Sequence, residues 1–276
     1  MSDRYAVIGN PIGHTKSPLI HTSFAEQTGQ DIAYTAIEGP LCGFNGAVDA
    51  FRAERGKGLN VTAPFKLDAY TYATDLLERA RLAGAVNAMR FDGERVVADN
   101  FDGVGLTRDI EHNLSRPMKG KRVLLLGAGG AARGAVLPFA EARPAELVIA
   151  NRTAAKAEEL RALVASHPHV AAAGYDALSG RGAGHFDVVV NATSASLSGE
   201  LPPVDAAVFA PGCLAYELAY GKGLTPFLRL ARRAGAGHLA DGVGMLVEQA
   251  AEAFAWWRGV RPDTRAMIAR MTVPLA

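Results

Sequence analysis

The chain has 276 residues, 49% hydrophobic and 21% charged, with 30 glycines and 14 prolines. Such a composition excludes a disordered or fibrous chain, and the length exceeds the usual size of a single core, so two domains are expected. A formal net charge of +1, with basic residues spread along the sequence, leaves no electrostatic footprint for nucleic acid or an anionic membrane surface; a small molecule is the expected partner.

Only Cys42 and Cys213 are present, which argues against a disulfide framework and fits a reducing cytoplasm. The N-terminal "MSDRYAVIGNP" turns before a long apolar segment develops, and no later run reaches the roughly 18 apolar residues of a membrane helix. Neither an export signal nor a membrane span is expected. The seven histidines show no metal-ligand spacing, since His167 and His169 merely flank a proline in a polar connector, so no metal is expected.

In chain order, "RYAVIGNP" reads as a strand ending at a turn. "SPLIHTSFAEQTG" reads as a helix capped by Ser17, with Pro18 at its first position and Gly29 closing it, and "IAYTAIE" reads as a second strand. "GFNGAVDAFRAERG" predicts a helix, "GLNVTAP" a strand and "DLLERARLAG" a helix ending at Gly84. Alternating strands and helices imply a mostly parallel α/β sheet. After "RPMKG" a second series begins: "KRVLLLGAGGAARGAVLPFAEA" is strand, glycine turn and helix, "ELVIANRTAAKAEELRALVA" repeats strand and helix, and "FDVVVNATS" is a third buried strand. In "DGVGMLVEQAAEAFAWWRG", Leu246, Val247, Ala250, Ala251, Phe254 and Trp257 recur at helical spacing and predict a long C-terminal helix.

Within "VLLLGAGGAARG", Gly127-x-Gly129-x-x-Ala132 follows an apolar strand and opens a helix, which is the context of a dinucleotide fingerprint in a Rossmann-type unit. Gly127 permits the tight turn, Gly129 lets the backbone approach a pyrophosphate at the helix N-terminus, and Ala132 allows close helix–sheet packing. A glycine-rich turn without a ligand is the plainer alternative. The next strand ends in Asn151, Arg152 and Thr153, with Lys156 one turn on and no acid. That end suits a 2′-phosphate and hence NADP, Arg152 offering a fork of donors and Lys156 a point charge. Lys156 alone reads equally well as a solvated helix residue.

Upstream, Thr15, Ser17, Asn60, Thr62, Lys66, Asn87 and Asp102 follow strand-like runs, where ligands bind in open α/β sheets. Together they would suit a substrate with several hydroxyls and a carboxylate. Each has a structural alternative: Ser17 as helix cap, Thr62 as strand residue, Asn87 and Asp102 as turn formers. Lys66 and Asp102 stand out because reduction of a carbonyl needs a proton donor beside the hydride acceptor.

The segments "GNPIGHTKSPLIH", "GLNVTAPFK", "AGAVNA", "DNFDGVG", "LLLGAGGAARG", "IANRT", "VVVNATS", "YGKGLTPFL" and "DGVGMLVEQA" occur in the order found in shikimate dehydrogenases. The sequence resembles that family along nearly its whole length. The resemblance implies NADPH-dependent, reversible reduction of 3-dehydroshikimate to shikimate on the route to chorismate and the aromatic amino acids. It implies an α/β substrate domain over residues 1–104, completed by 241–276, and a Rossmann-type NADP domain over 105–240, with a cleft between them. A hinge is expected near residues 102 to 106 and 238 to 242.

By the same resemblance, Lys66 is the catalytic acid/base with Asp102 as its partner. Thr15 and Ser17 fall where the family binds the substrate carboxylate, and Asn60, Thr62, Asn87, Tyr220 and Gln249 where it contacts the ring hydroxyls or carboxylate. Gly127, Ala128, Gly129, Gly130, Ala131, Asn151, Arg152, Thr153 and Lys156 match the cofactor positions, as do Thr193, Leu218 and Gly242 near the nicotinamide, and Glu78. Five positions depart from the usual family pattern: Thr15 for Ser, Ala63 for Val, Ala88 and Phe101 for Thr, and Ser196 for Gly. None removes a group that performs chemistry, so they bear on substrate breadth and on access beside Asp102. Two other readings stay open: a quinate or aminoshikimate dehydrogenase of the same fold, and a non-catalytic NADP-binding regulatory protein. A monomer or a homodimer is expected.

Overall fold

The structure is a computed structural model and describes residues 2–179 and 186–275. The chain divides into two compact units, Met1–Gly105 with Val247–Ala269, and Leu106–Leu246 with Arg270–Ala276.

The first unit holds strands β1 (Asp3–Gly9), β2 (Ile32–Glu38), β3 (Gly56–Val61), β4 (Asp75–Leu76), β5 (Ala88–Asp92) and β6 (Arg95–Asp99). They form one sheet in the order β2-β1-β3-β5-β6-β4. Helices α1 (Ser17–Thr28), α2 (Phe44–Ala53), α3 (Lys66–Tyr72) and α4 (Glu78–Ala83) connect them. Alternation along β1 sets its two faces: Ala6 and Ile8 pack with Phe44, Phe51 and Phe65, whereas Tyr5 and Val7 pack with Ile12 and Tyr34. The sheet is mixed, because β5 runs antiparallel to both β3 and β6, while β1–β2, β1–β3 and β4–β6 are parallel.

Two local expectations are corrected. The stretch 75–84 is not one helix: Thr74 and Leu77 donate their backbone N–H groups to Val96 and Ala98, so the sheet edge claims the start of the segment and α4 begins only at Glu78. Ser17 does not cap α1 either. It is the first helical residue, Lys16 occupies the cap position without a capping bond from its side chain, and the Ser17 N–H is instead accepted by Thr15 Oγ1 at 3.3 Å.

The second unit holds β7 (Arg122–Leu126), β8 (Glu146–Asn151), β9 (Val170–Gly174), β10 (Phe186–Asn191), β11 (Phe209–Glu217) and β12 (His238–Asp241). Helix α5 (Asp102–Arg108) leads in, followed by a π-helical turn over Asp109–Asn113. Helices α6 (Gly130–Glu141), α7 (Ala154–Leu163), α8 (Asp176–Ser179) and α9 (Pro226–Arg233) lie between the strands, while α10 (Val243–Arg258) and α11 (Arg265–Met271), which close the chain, belong mostly to the first unit. All strand pairs are parallel, in the order β12-β11-β10-β7-β8-β9, which is the doubly wound Rossmann arrangement. Its near-continuous apolar strands are buried on both faces: Val123 and Leu125 pack with Val136 and Phe139 of α6, while Leu124 and Leu126 pack with Phe227 and Leu228 of α9. Each such large side chain contributes about 1.5–3 kcal/mol on burial.

Candidate functional site

The antiparallel β5 decides the first site. It places its own first residues beside the carboxyl ends of β3 and β6: Val61 donates to the Asn87 carbonyl at 2.8 Å, and Asn87 donates to the Asp99 carbonyl at 3.0 Å. Beyond β3, Phe65 donates to Thr62 across the turn that contains Pro64, and the fully buried Phe65 ring packs on Phe44 at 5.4 Å. That anchor presents Lys66, the next residue, at the first turn of α3.

Asp102 is fixed by its own loop. Asp99 is buried and ion-paired with Arg79; burial raises its carboxyl above the usual range, with the guanidinium and backbone N–H groups opposing. The Asp99 Oδ1 accepts from the Asn100 N–H, and Asn100 Oδ1 accepts from the Asp102 N–H at 3.1 Å. Phe101 donates its N–H to Asn87 Oδ1 at 2.8 Å.

The result is one connected polar chain. Lys66 Nζ donates to Asp102 Oδ2 at 2.5 Å, and Asn87 Nδ2 donates both to Asp102 Oδ1 at 2.8 Å and to Gln249 Oε1 at 3.1 Å. The Lys66 side chain retains 33% exposure and Asp102 16%, so the ammonium can both pair and reach a ligand. Gln249 is held close because Gly105 faces it; a Cβ there would lie 2.6 Å from the Gln249 nitrogen.

Asn60 joins through Asn87, donating Nδ2 to its carbonyl at 3.3 Å, and accepts from the Tyr34 hydroxyl at 2.7 Å. Tyr34 stacks on His21 at 4.2 Å. His21 is fully buried and neither ring nitrogen reaches a hydrogen-bond partner; desolvation drives its imidazole down to about 3, against a small opposing effect of the Asn60 amide. Thr15 and Ser17 form a separate hydroxyl pair at 3.2 Å. Thr62 lies just past β3, with its N–H on the Ile8 carbonyl and its methyl beside Gly9.

In the second unit the fingerprint residues occupy the point where the strand order reverses, between β7 and β10. Gly127 has φ +107° and passes within van der Waals reach of Ala192 and Thr193, so a Cβ there would crowd them. Around Gly129 and Gly130 the space a Cβ would take is open, and the first N–H groups of α6, from Gly130, Ala131 and Ala132, have no intrahelical acceptor. Ala128 precedes them in the same turn. This cradle fits a pyrophosphate.

At the end of β8, Asn151 Nδ2 holds the Thr153 carbonyl at 3.0 Å, while Arg152, Thr153 and Lys156 are exposed. Arg152 and Lys156 thus present two cations at this exposed strand end. On the other side of the reversal, Thr193 donates its N–H and hydroxyl to Asn191 Oδ1 at 3.1 and 2.7 Å. Leu218 donates to the Asn191 carbonyl at 3.1 Å, and Gly242 sits so tightly against the Leu218 carbonyl that no side chain would fit.

Of the expected substrate residues in the first unit, Asn60, Asn87 and Gln249 therefore gather with Lys66 around Asp102, Thr15 and Ser17 form a pair with Ser17 beside the Tyr34 hydroxyl, and Thr62 follows β3 against Ile8 and Gly9. Tyr220 belongs to the second unit, on the loop after β11, and is 42% exposed. Glu78 lies exposed at the start of α4 in the first unit, whereas every other expected cofactor residue belongs to the second. Sequence reading does not single out Tyr34, Asn191 or Glu217. The last is the lone acid in the apolar run "CLAYELAY", a signal that was there to be used. Among the described residues, which leave out His185, no group of three or more His, Cys, Asp or Glu side chains is placed to hold a metal. No described helix is long and apolar enough to cross a membrane.

Residues 7–89 match the profile of a shikimate dehydrogenase substrate binding domain, 109–198 that of a shikimate / quinate 5-dehydrogenase, and 242–272 that of a shikimate 5′-dehydrogenase C-terminal domain. The NADP+-dependent shikimate dehydrogenase of Nitrosospira multiformis is 56% identical over 268 residues, 97% of this chain and 96% of that protein. Among solved structures, an Ael1 enzyme from Pseudomonas putida is 62% identical, with a TM-score of 0.95 and full coverage of both chains. The shikimate 5-dehydrogenase of Thermus thermophilus, solved with NADP(H) and shikimate, is 29% identical with a TM-score of 0.83 over 97% of each chain.

Proposed function

The chain belongs to the shikimate dehydrogenase family, and on that premise we infer that it catalyses the reversible NADPH-dependent reduction of 3-dehydroshikimate to shikimate. The observation that carries the chemistry is the Lys66–Asp102–Asn87 chain, a proton donor held by a carboxylate that is itself held by an amide. Bound NADPH would supply the hydride to the C3 carbonyl carbon. Lys66 gives a proton to the carbonyl oxygen and takes it back in the oxidative direction. Asp102, accepting from both Lys66 and Asn87, fixes the ammonium and presents its remaining lone pairs to a substrate hydroxyl.

Asn60, Thr62, Asn87, Tyr220 and Gln249 are assigned to the substrate's hydroxyls or carboxylate, and the Thr15–Ser17 pair to the carboxylate. Gly127 to Ala131 cradle the pyrophosphate; Asn151, Arg152, Thr153 and Lys156 take the 2′-phosphate end; and Thr193, Leu218 and Gly242 take the nicotinamide. Glu78 is retained as a further cofactor contact. The substrate domain is taken as residues 1–104 with 241–276 and the NADP domain as residues 105–240, with Tyr220, Gly242 and Glu78 as exceptions to a strict division of the two ligands. The free thiols of Cys42 and Cys213 suit a reducing compartment, and the reading is of a cytoplasmic enzyme acting as a monomer or homodimer.

The departures at Ala88 and Phe101 support the usual substrate. Both pack in one buried cluster, where the Phe101 ring meets Trp256 at 5.6 Å and lies under the Arg79 guanidinium, so the larger ring is absorbed by the core. Shikimate and quinate assayed against NADP+ and NAD+, followed by reduced-nicotinamide absorbance, test the whole reading. Turnover is expected with shikimate and NADP+ foremost; a preference for quinate or NAD+, or no turnover, would refute it.

A further inference from the structure

At the carboxyl ends of β10 and β11, Asn191 and Glu217 are direct cross-strand neighbours, and both are fully buried. Glu217 is surrounded by donors. Its Oε2 accepts from Asn191 Nδ2 at 3.0 Å, from Thr225 Oγ1 at 3.2 Å and from the Ser196 hydroxyl, and its Oε1 accepts from the Ala219 N–H at 3.3 Å. Asn191 is also saturated: Nδ2 donates to Glu217 and to Ser196 Oγ, and Oδ1 accepts twice from Thr193. One carboxyl thus ties the loop after β10 to the loop after β11 and to the first turn of α9, which Thr225 caps. Ser196, where glycine is usual, supplies one of the ties.

We propose that Glu217 is a positioning residue for the nicotinamide half of the cofactor, holding in register, through Asn191, Ser196, Ala219 and Thr225, the two loops that carry Thr193 and Leu218. This rests on the reading that Thr193 and Leu218 meet the nicotinamide. A carboxylate is required because all four neighbours donate to it. In a glutamine of the same shape, one end of the amide must turn N–H groups toward a donor in either flip, and a buried unmatched donor forces the loops apart. The hydrogen bonds of Glu217 run to Asn191, Ser196, Ala219 and Thr225, none of them on β7 or β8, where the adenosine end is assigned, so its effect is expected in one half of the ligand.

The test is equilibrium binding of NADP+ and of adenosine 2′,5′-bisphosphate, which lacks the nicotinamide, to the full chain and to Glu217→Gln. The variant is expected to bind NADP+ about tenfold more weakly, which is about 1.4 kcal/mol, and the bisphosphate unchanged. Unchanged NADP+ affinity, or equal weakening for both ligands, would overturn the role. Should Glu217→Gln fail to fold, Ser196→Ala removes one donor, and a selective loss of about threefold is expected; equal affinity for NADP+ there is again contrary. A wild-type chain that binds neither ligand would sink the cofactor assignment itself, an outcome separate from wild-type binding with an indifferent variant.

Discussion

Lys66 and Asp102 stand 36 positions apart in sequence yet meet at 2.5 Å, and each is held by a neighbour with no part in the chemistry: Phe65 buried beneath the turn, Asn100 closing the loop. Because the proton donor acts chiefly in the transition state, Lys66→Ala is expected to lower kcat by about 10²–10⁴-fold while KM for shikimate changes little, as steady-state kinetics would show. Near-normal turnover would remove Lys66 from the mechanism. His21 makes a prediction of another kind. Its folded pKa of about 3 lies below the unfolded value near 6.5, so between these values the unfolded chain binds a proton the folded chain refuses. Stability from this residue is complete above the unfolded value and is lost as pH falls. Urea unfolding at pH 6.5 and pH 5 should reveal a decline of up to about 1.4 kcal/mol per pH unit, flattened in His21→Phe.

Elements differ in how far their residues announce them. The Rossmann strands were legible because burial on both faces forces continuous apolar runs, and the fingerprint was legible because Gly127 must adopt φ +107° against Ala192. Gly127→Ala is therefore expected to destabilise the chain by about 1–3 kcal/mol in chemical denaturation. The β5–β6 hairpin was less plain, although Asp92 pairs with Arg95 across a two-residue loop whose first residue, Gly93, has φ +64°, and glycine opening such a loop is a hairpin signal. It matters because reversal of β5 brings Asn87 to Val61, a proximity that alternating strand and helix patterns do not suggest. The polar residues could be named from the sequence, but their pairings could not, since hydrogen bonds across 15 to 162 positions leave no periodicity. At the end of β8, Arg152→Ala is expected to raise KM for NADPH by about 10- to 100-fold, from loss of charge-assisted bonds to a phosphate, and to leave KM for NADH nearly untouched. Equal effects on the two cofactors would contradict the 2′-phosphate assignment.

At the scale of the whole chain, the first unit is assembled from two stretches separated by residues 106–246. The late stretch is no ornament on the early one. Trp257 stacks on Tyr5 at 4.7 Å and donates to the Met89 carbonyl, Phe254 packs on Phe24 at 5.8 Å, and Arg258 pairs with Asp3 at 2.5 Å. Seen as a timetable of synthesis, this arrangement means that Tyr5, His21 and Phe24 leave the ribosome long before the helix that covers them exists. The residues between, by contrast, carry their own two cores on both faces of a parallel sheet. The middle of the chain can thus finish folding while its beginning still waits, with an apolar face open to chaperones or to aggregation, for nearly the last turns to arrive.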